Sequence, residues 1–266
     1  MRAAAVQMTS TDDLDRNLET ADRLTRAAAM DGARLVVLPE KWPALGPSDV
    51  VARGAQDPDD GPAIAWARRT AKELGIDLIA GSVAMRSGER LRNTAIHAGP
   101  DGEIHATYAK MHLFDVEVDG RVYRESEHED AGDDAVLTHA ADGTSIGLAV
   151  CYDLRFPTLF EDLARDGAKL FAIPSAFTLK TTRDHWDVLV RARAIEQQAF
   201  VVAANQVGEH PGGMRSGGRS LIVDPWGVVL AQAPDAETHV VADLDLAAQE
   251  RVRAELPALR HRRVRV

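Results

Sequence analysis

Cysteine is almost absent: Cys151 is the only one among 266 residues, which excludes an intrachain disulfide and any thiolate-rich metal centre. The nine histidines are scattered, with no His-Glu-x-x-His and no Cys/His cluster, so the expectation is no metal and no cofactor. Lysine is scarce too, with five (Lys41, Lys72, Lys110, Lys169, Lys180) against 26 arginines. Positive charge is in deficit, and a net charge of −10 argues against nucleic acid or an anionic membrane as partner, since both reward clustered cations. No apolar run approaches the length a bilayer requires, and Met1 opens no charged-then-apolar leader. These absences point to a cytoplasmic protein whose partner is a small molecule or another protein.

With 45% hydrophobic residues, the chain can bury a large core, and a single domain over 1–266 is expected. Ala3–Met8 and Leu35–Leu38 are apolar runs suited to buried strands, while Leu14, Leu18, Ala21, Leu24 and Ala28 recur at helical spacing between them. Gly32 then stands where a left-handed residue would follow the helix. The unit repeats: Pro62 opens a helix through Leu74, Gly75 caps it, and Leu78–Ala84 follows as a strand. Arg92–His97 and Glu103–Ala109, joined through Gly99-Pro100-Asp101-Gly102, read as an antiparallel hairpin.

Residues 115–143 are acidic and irregular and read as a long loop carrying a strand or turn. The alternation then resumes with strand Ser145–Val150, helix Thr158–Asp166 and strand Lys169–Ile173, ending at Pro174. Helix Trp186–Gln198 and strand Phe200–Ala204 continue it. Gly208–Gly218 looks like a mobile loop, because no lysine stands where a phosphate-binding loop requires one. Leu221–Val223 and Val228–Ala231 flank the turn Asp224-Pro225-Trp226-Gly227, and Val240–Asp243 adds a strand. The Arg-rich end, from about 254 to 266, is expected as an extended tail. Strands with interspersed helices and hairpins suit two mixed sheets covered by helices.

Cys151 stands directly after an apolar strand and before Tyr152-Asp153-Leu154-Arg155, where the chain must turn toward a helix. A lone cysteine is ordinarily an inert core thiol, so its partners must decide. A nucleophilic thiol needs a base for its proton and a cation or dipole for its charge. Glu40, after Leu35–Pro39, and Lys110, after Glu103–Ala109, each close another apolar strand, and strand ends are where α/β sites assemble. Lysine kept in an arginine-rich chain hints that a compact ammonium matters at Lys110. Sequence position alone does not bring the three together.

Leu38-Pro39-Glu40, Lys110-Met111-His112-Leu113-Phe114-Asp115 and Gly147-Leu148-Ala149-Val150-Cys151-Tyr152-Asp153-Leu154-Arg155-Phe156-Pro157 together resemble the nitrilase superfamily of carbon–nitrogen hydrolases. Pro174-Ser175-Ala176-Phe177, His185-Trp186 with Arg191–Glu196, and Asp224–Gly227 extend the likeness over nearly the whole chain. Within the superfamily it is most similar to the branch of omega-amidases and deaminated-glutathione amidases. The resemblance implies a four-layer α-β-β-α sandwich with two mixed β-sheets, and a homodimer that pairs Thr158–Asp166 and Trp186–Gln198 across a two-fold axis. It also implies a second glutamate, Glu125, with Glu127 as the fallback, because the chain has Asp119-Gly120 and Ala131-Gly132 where the family commonly has Pro-Gly.

The implied reaction cleaves a small linear amide through a thioester, with Cys151, Glu40, Lys110 and Glu125 as the catalytic set and water as second substrate. Tyr152, Phe114, Phe177, Thr178 and Arg155 are the implied substrate contacts. Arg155 could equally pair with Glu161 or Asp162. Nitriles and N-carbamoyl compounds present an electrophilic carbon to the same thiol. The rivals are a Cys–His enzyme using His112 or His185 as base, and a binding protein that keeps the fold without catalysis.

Overall fold

The computed structural model describes residues 1–263. Strand β1 (Arg2–Gln7) leads through helix α1 (Leu14–Met30) to β2 (Leu35–Val37), and the short α2 (Ser48–Arg53) and α3 (Pro62–Leu74) precede β3 (Asp77–Ser87). The chain then folds back through β4 (Arg90–Ala98) and β5 (Ile104–Ala109). Strands β1, β2 and β3 are parallel, whereas β3, β4 and β5 are antiparallel. Helix α3 forms where the sequence predicted it, with Pro62 at its start and Gly75 past its end at φ +62°, a conformation glycine takes at little cost.

Within the expected loop, β6 (Asp115–Val118) and β7 (Arg121–Arg124) form an antiparallel hairpin. Its turn residues Asp119 and Gly120 both have positive φ, 54° and 73°, the combination a two-residue hairpin turn requires. A single 3₁₀ turn, Glu125–Glu127, follows it.

The second sheet holds β8 (Leu137–His139), β9 (Ser145–Leu148), β10 (Leu170–Ser175), β11 (Phe200–Asn205), and later β14 (Leu221–Val223) and β15 (Val229–Gln232). Helix α4 (Pro157–Arg165) joins β9 to β10; α5 (Leu179–Thr181), a π turn over Thr182–Trp186 and α6 (Asp187–Gln197) join β10 to β11. The Gly-rich segment expected as a mobile loop is instead a ribbon of β12 (Val207–His210) and β13 (Met214–Gly217), paired from Val207↔Gly217 to His210↔Met214. Strand β16 (Thr238–Asp243) returns to pair antiparallel with β1, and α7 (Leu246–Glu255) follows. The expected extended tail thus begins inside a helix and takes a 3₁₀ turn over Ala258–His261; its residues 264–266 lie outside those described.

The two large sheets stack face to face between outer helices, giving the four-layer α-β-β-α sandwich. Alternation along β1 shows how: Ala3 and Ala5 join the core between the sheets, while Ala4 and Val6 join the core under α1 and α3. Among the described residues, no helix is long and apolar enough to cross a membrane.

Candidate active site

Glu40 lies three residues beyond β2 and is 3% exposed. The chain can lean inward there because Gly81, at φ +54°, leaves room that an added Cβ would close against the Pro39 carbonyl. The Glu40 N–H donates to Ser175 O at 3.3 Å and Gln206 Nε2 donates to Glu40 O at 3.0 Å, tying the first sheet to the second. Glu40 Oε1 accepts from Asn93 Nδ2 at 2.7 Å and from Lys110 Nζ at 3.0 Å.

Lys110 emerges just past β5, its N–H donating to Asn93 O at 2.8 Å. Its ammonium is bracketed by Glu40 and by Glu125 Oε2 at 2.7 Å. Burial works against the charge, but the two carboxylates outweigh it and hold Lys110 well above the usual lysine range. It remains a cation and is unsuited to act as a base. Of the two glutamates proposed for this loop, Glu125 is the one in contact with Lys110, and it also accepts from the Phe114 N–H at 2.8 Å. Glu127 lies at the exposed rim of the same cavity, 4.0 Å from His128 Nε2. Against the pull of burial, Lys110 and Lys41 keep the Glu125 carboxyl far below its ordinary range.

Cys151 opens a 3₁₀ turn, Cys151–Arg155, with φ +50° and 8% exposure. A left-handed backbone at a residue with a Cβ is uncommon, and here it turns the thiol out of the strand toward Glu40 and Lys110. Asp153 secures the turn: it is fully buried and accepts from the Val150 N–H, Tyr108 Oη and the His112 N–H at 2.8, 2.8 and 3.0 Å. Burial pushes the Cys151 thiol up, Glu40 adds to the rise through its charge and a hydrogen bond, and Lys110 offsets only part. The resting group is a neutral thiol beside a carboxylate.

These four side chains line one cavity of about 500 Å³, together with Phe114, Tyr152, Arg155, Phe177 and Thr178. Phe114 meets Tyr152 edge-on at 5.0 Å, and the Arg155 guanidinium lies over the Tyr152 and Phe177 rings at 5.8 and 5.4 Å. Neither anticipated ion pair of Arg155 forms: Asp162 pairs with Arg165, and Arg155 meets His185 Nδ1 at 3.3 Å. Among the described residues Arg155 has no carboxylate partner, so it can receive an anion in the cavity.

His112 is turned to Asp153 through Nδ1 at 2.7 Å and stacked on Phe156. Neither His112 nor His185 lines the cavity, which weakens the Cys–His alternative. Among the described residues, Asp77, His97 and His105 gather their potential ligand atoms elsewhere, on β3 to β5. His97 there is already bonded to Asp77 and Thr138, and His105 to Asp101.

Residues that the sequence did not single out complete the site: Asn93, Asp153, Gln206, and the buried pair Lys41 and Glu129. The ribbon contributes Met214, Arg215 and Ser216 to the cavity wall.

Residues 2–254 match the family described as carbon-nitrogen hydrolase. A deaminated glutathione amidase of Synechocystis sp. is 38% identical, covering 98% of this chain and 97% of its own length. The chloroplastic omega-amidase of Arabidopsis thaliana is 36% identical over 97% of this chain and 71% of that protein. Among solved structures, Saccharomyces cerevisiae Nit3, described as a member of branch 10 of the nitrilase superfamily, superposes with a TM-score of 0.89 at 27% identity. That match covers 99% of this chain and 97% of Nit3.

Proposed function

The chain belongs to the carbon–nitrogen hydrolase family, and from that premise we propose that it cleaves a small linear amide through a thioester on Cys151, releasing ammonia and a carboxylic acid. The observation that carries this reading is the placement of Cys151, Glu40 and Lys110 in one cavity, with Lys110 Nζ 3.0 Å from the Glu40 carboxylate. Relatives named as amidases support the choice of an amide.

Glu40 takes the thiol proton as sulfur attacks the carbonyl carbon. A neutral thiol beside a carboxylate suits transfer during attack better than a thiolate formed in advance. The oxygen of the tetrahedral intermediate receives hydrogen bonds from Lys110 and the Tyr152 N–H, donors already in place before the charge develops. Glu40 returns its proton to the leaving nitrogen, and ammonia departs. Water, deprotonated by Glu40, then attacks the thioester carbon; the acid leaves and the sulfur regains a proton.

The substrate carries a carboxylate that Arg155 receives, as in the omega-amide of a dicarboxylate, while Phe114, Phe177 and Thr178 bound its carbon chain. The protein acts as one domain, since β16 completes the sheet begun by β1, and as a homodimer. A cytoplasmic location fits a nucleophilic thiol that must stay reduced. The test is Cys151→Ala: ammonia release from glutaramate-like and aliphatic amides falls to background while circular dichroism and Tm remain near wild type. Turnover retained by that variant rejects the mechanism.

A further inference from the structure

Two buried charges beside the cavity have no part in the steps above. Lys41 Nζ lies 3.0 Å from Glu125 Oε1 and 2.5 Å from Glu129 Oε1, and the Lys41 and Glu129 side chains are 7% and 5% exposed. Burying such a pair is costly, and an apolar pair of similar volume often does as well or better. Stability alone is therefore a weak reason for it.

The backbone singles out Lys41 as well. Glu40 and Lys41, adjacent in the turn beyond β2, both line this cavity. The chain achieves this by placing Lys41 at φ +49°, with its N–H donating to Ser82 Oγ at 3.1 Å. A strained backbone position occupied by a buried cation is an outlier that calls for a functional reason.

Holding the loop is not that reason, because Arg90 already does so. Its guanidinium donates to Asp130 at 2.5 Å and to the carbonyls of Ser126, Glu129 and Glu127 at 2.7, 2.8 and 3.2 Å. What Lys41 alone holds is one oxygen of Glu125. Among the described residues, Glu125 Oε2 is taken by Lys110 and the Phe114 N–H, while Oε1 accepts only from Lys41.

We propose that Lys41 is a positioning residue of this active site: it clamps Glu125 Oε1, keeping Glu125 an ionised, fixed anchor for Lys110, with Glu129 as the counter-charge that allows a second lysine to be buried there. This rests on the reading of Cys151, Glu40 and Lys110 as amidase machinery. Without the clamp Glu125 can rotate or take up a proton, and the Lys110 ammonium loses its aim at the developing oxyanion. Displacements of about 1 Å in such groups can cost about 10²-fold in rate. The clamp also withholds Glu125 from proton traffic, leaving Glu40 as the one shuttle. Burial opposes the Lys41 charge, but Glu125 and Glu129 more than restore it. Glu129 is the weaker partner, pushed up by burial, and its Oε2 has no partner among the described residues.

The test compares the full-length wild type with Lys41→Met and the charge-neutral double variant Lys41→Met/Glu129→Leu. Three quantities are read: Tm, ammonia release from the amide the wild type turns over best, and the pH profile of Cys151 alkylation by iodoacetamide. Cys151 is the only thiol, so every adduct reports on it. Lys41→Met is expected to lower Tm and to slow both reactions about tenfold at neutral pH, in line with the loss of one positioning contact. The double variant regains Tm but not the rates, and its alkylation profile gains an inflection on the acid side as Glu125 becomes titratable. A double variant with the wild-type rates and profile overturns the proposal, since Lys41 would then matter only as Glu129's partner. If Lys41→Met does not fold, the double variant decides alone. Wild type that is alkylated but releases no ammonia from any amide instead rejects the amidase reading and leaves the clamp test intact.

Discussion

Which carboxylate in the cavity can move a proton depends on how many cations face it. Glu125 lies against two lysines and a backbone N–H, whereas Glu40 has one lysine and the neutral Asn93 amide. Glu40→Gln is expected to cost roughly 10²–10⁴-fold in kcat and to ease ionisation of Cys151, because burial and the Glu40 charge are what hold the thiol up. The measurement is the pH dependence of iodoacetamide alkylation: its midpoint moves to lower pH in Glu40→Gln, and a midpoint moved upward contradicts this account. The residues legible from sequence were those closing apolar strands: Glu40, Lys110 and Cys151. The scarcity of lysine drew attention to Lys110, though it applies equally to Lys41 next to Glu40. Asn93 and Asp153 gave no comparable signal, since Asn93 meets Glu40, and Asp153 meets Tyr108 and His112, only when distant segments are brought together by the fold.

At the scale of elements, the strands of the central βαβ units were readable because burial on both faces leaves continuous apolar runs. Pro174 marked the expected end of a strand, but β10 continues to Ser175. The pairing of β10 with β9 covers only Leu170–Ala172, so the missing N–H of Pro174 interrupts no ladder on that side. The ribbon β12–β13 read as loop, and the hairpin β6–β7 as no more than a strand or turn within one, because glycines and acidic residues obscure their alternation, although Asp119-Gly120 is a turn signal. Close approach at strand ends yields a further test. Gly81→Ala adds a side chain at positive φ against the Pro39 carbonyl, and is expected to cost roughly 2–4 kcal/mol of stability. It is also expected to lower kcat by displacing Glu40. Urea unfolding with steady-state kinetics checks both, and wild-type stability in this variant would show that the contact at Pro39 is not tight.

Across the whole molecule, the two sheets share one pairing pattern. Read as β16-β1-β2-β3-β4-β5 and β8-β9-β10-β11-β14-β15, each runs antiparallel, parallel, parallel, antiparallel, antiparallel. Glu40 and Lys110, beyond strands of the first sheet, meet Cys151, beyond a strand of the second, in one cavity. Helix α6 buries Val190 and Ala194 against the second sheet but leaves Val188 and Ile195, seven residues apart and so on one face, 68% and 48% exposed. Trp226 and Leu256 are 59% and 51% exposed, and together with Ile195 they line a shallow hollow. Apolar groups clustered this way mark an association surface more often than a free one, and they lie beside the helix that the proposed two-fold contact would use. On the inner side of α6, Arg193 Nε donates to Leu154 O at 3.1 Å, inside the turn that begins with Cys151. The proposed two-fold contact would therefore lie behind the turn that supports Cys151. On the proposed homodimer, Ile195→Asp is expected to sediment as a monomer in sedimentation velocity, with kcat reduced while the monomer stays folded. Wild-type protein sedimenting as a monomer at micromolar concentration would remove the two-fold contact and leave the exposed face of α6 without a partner.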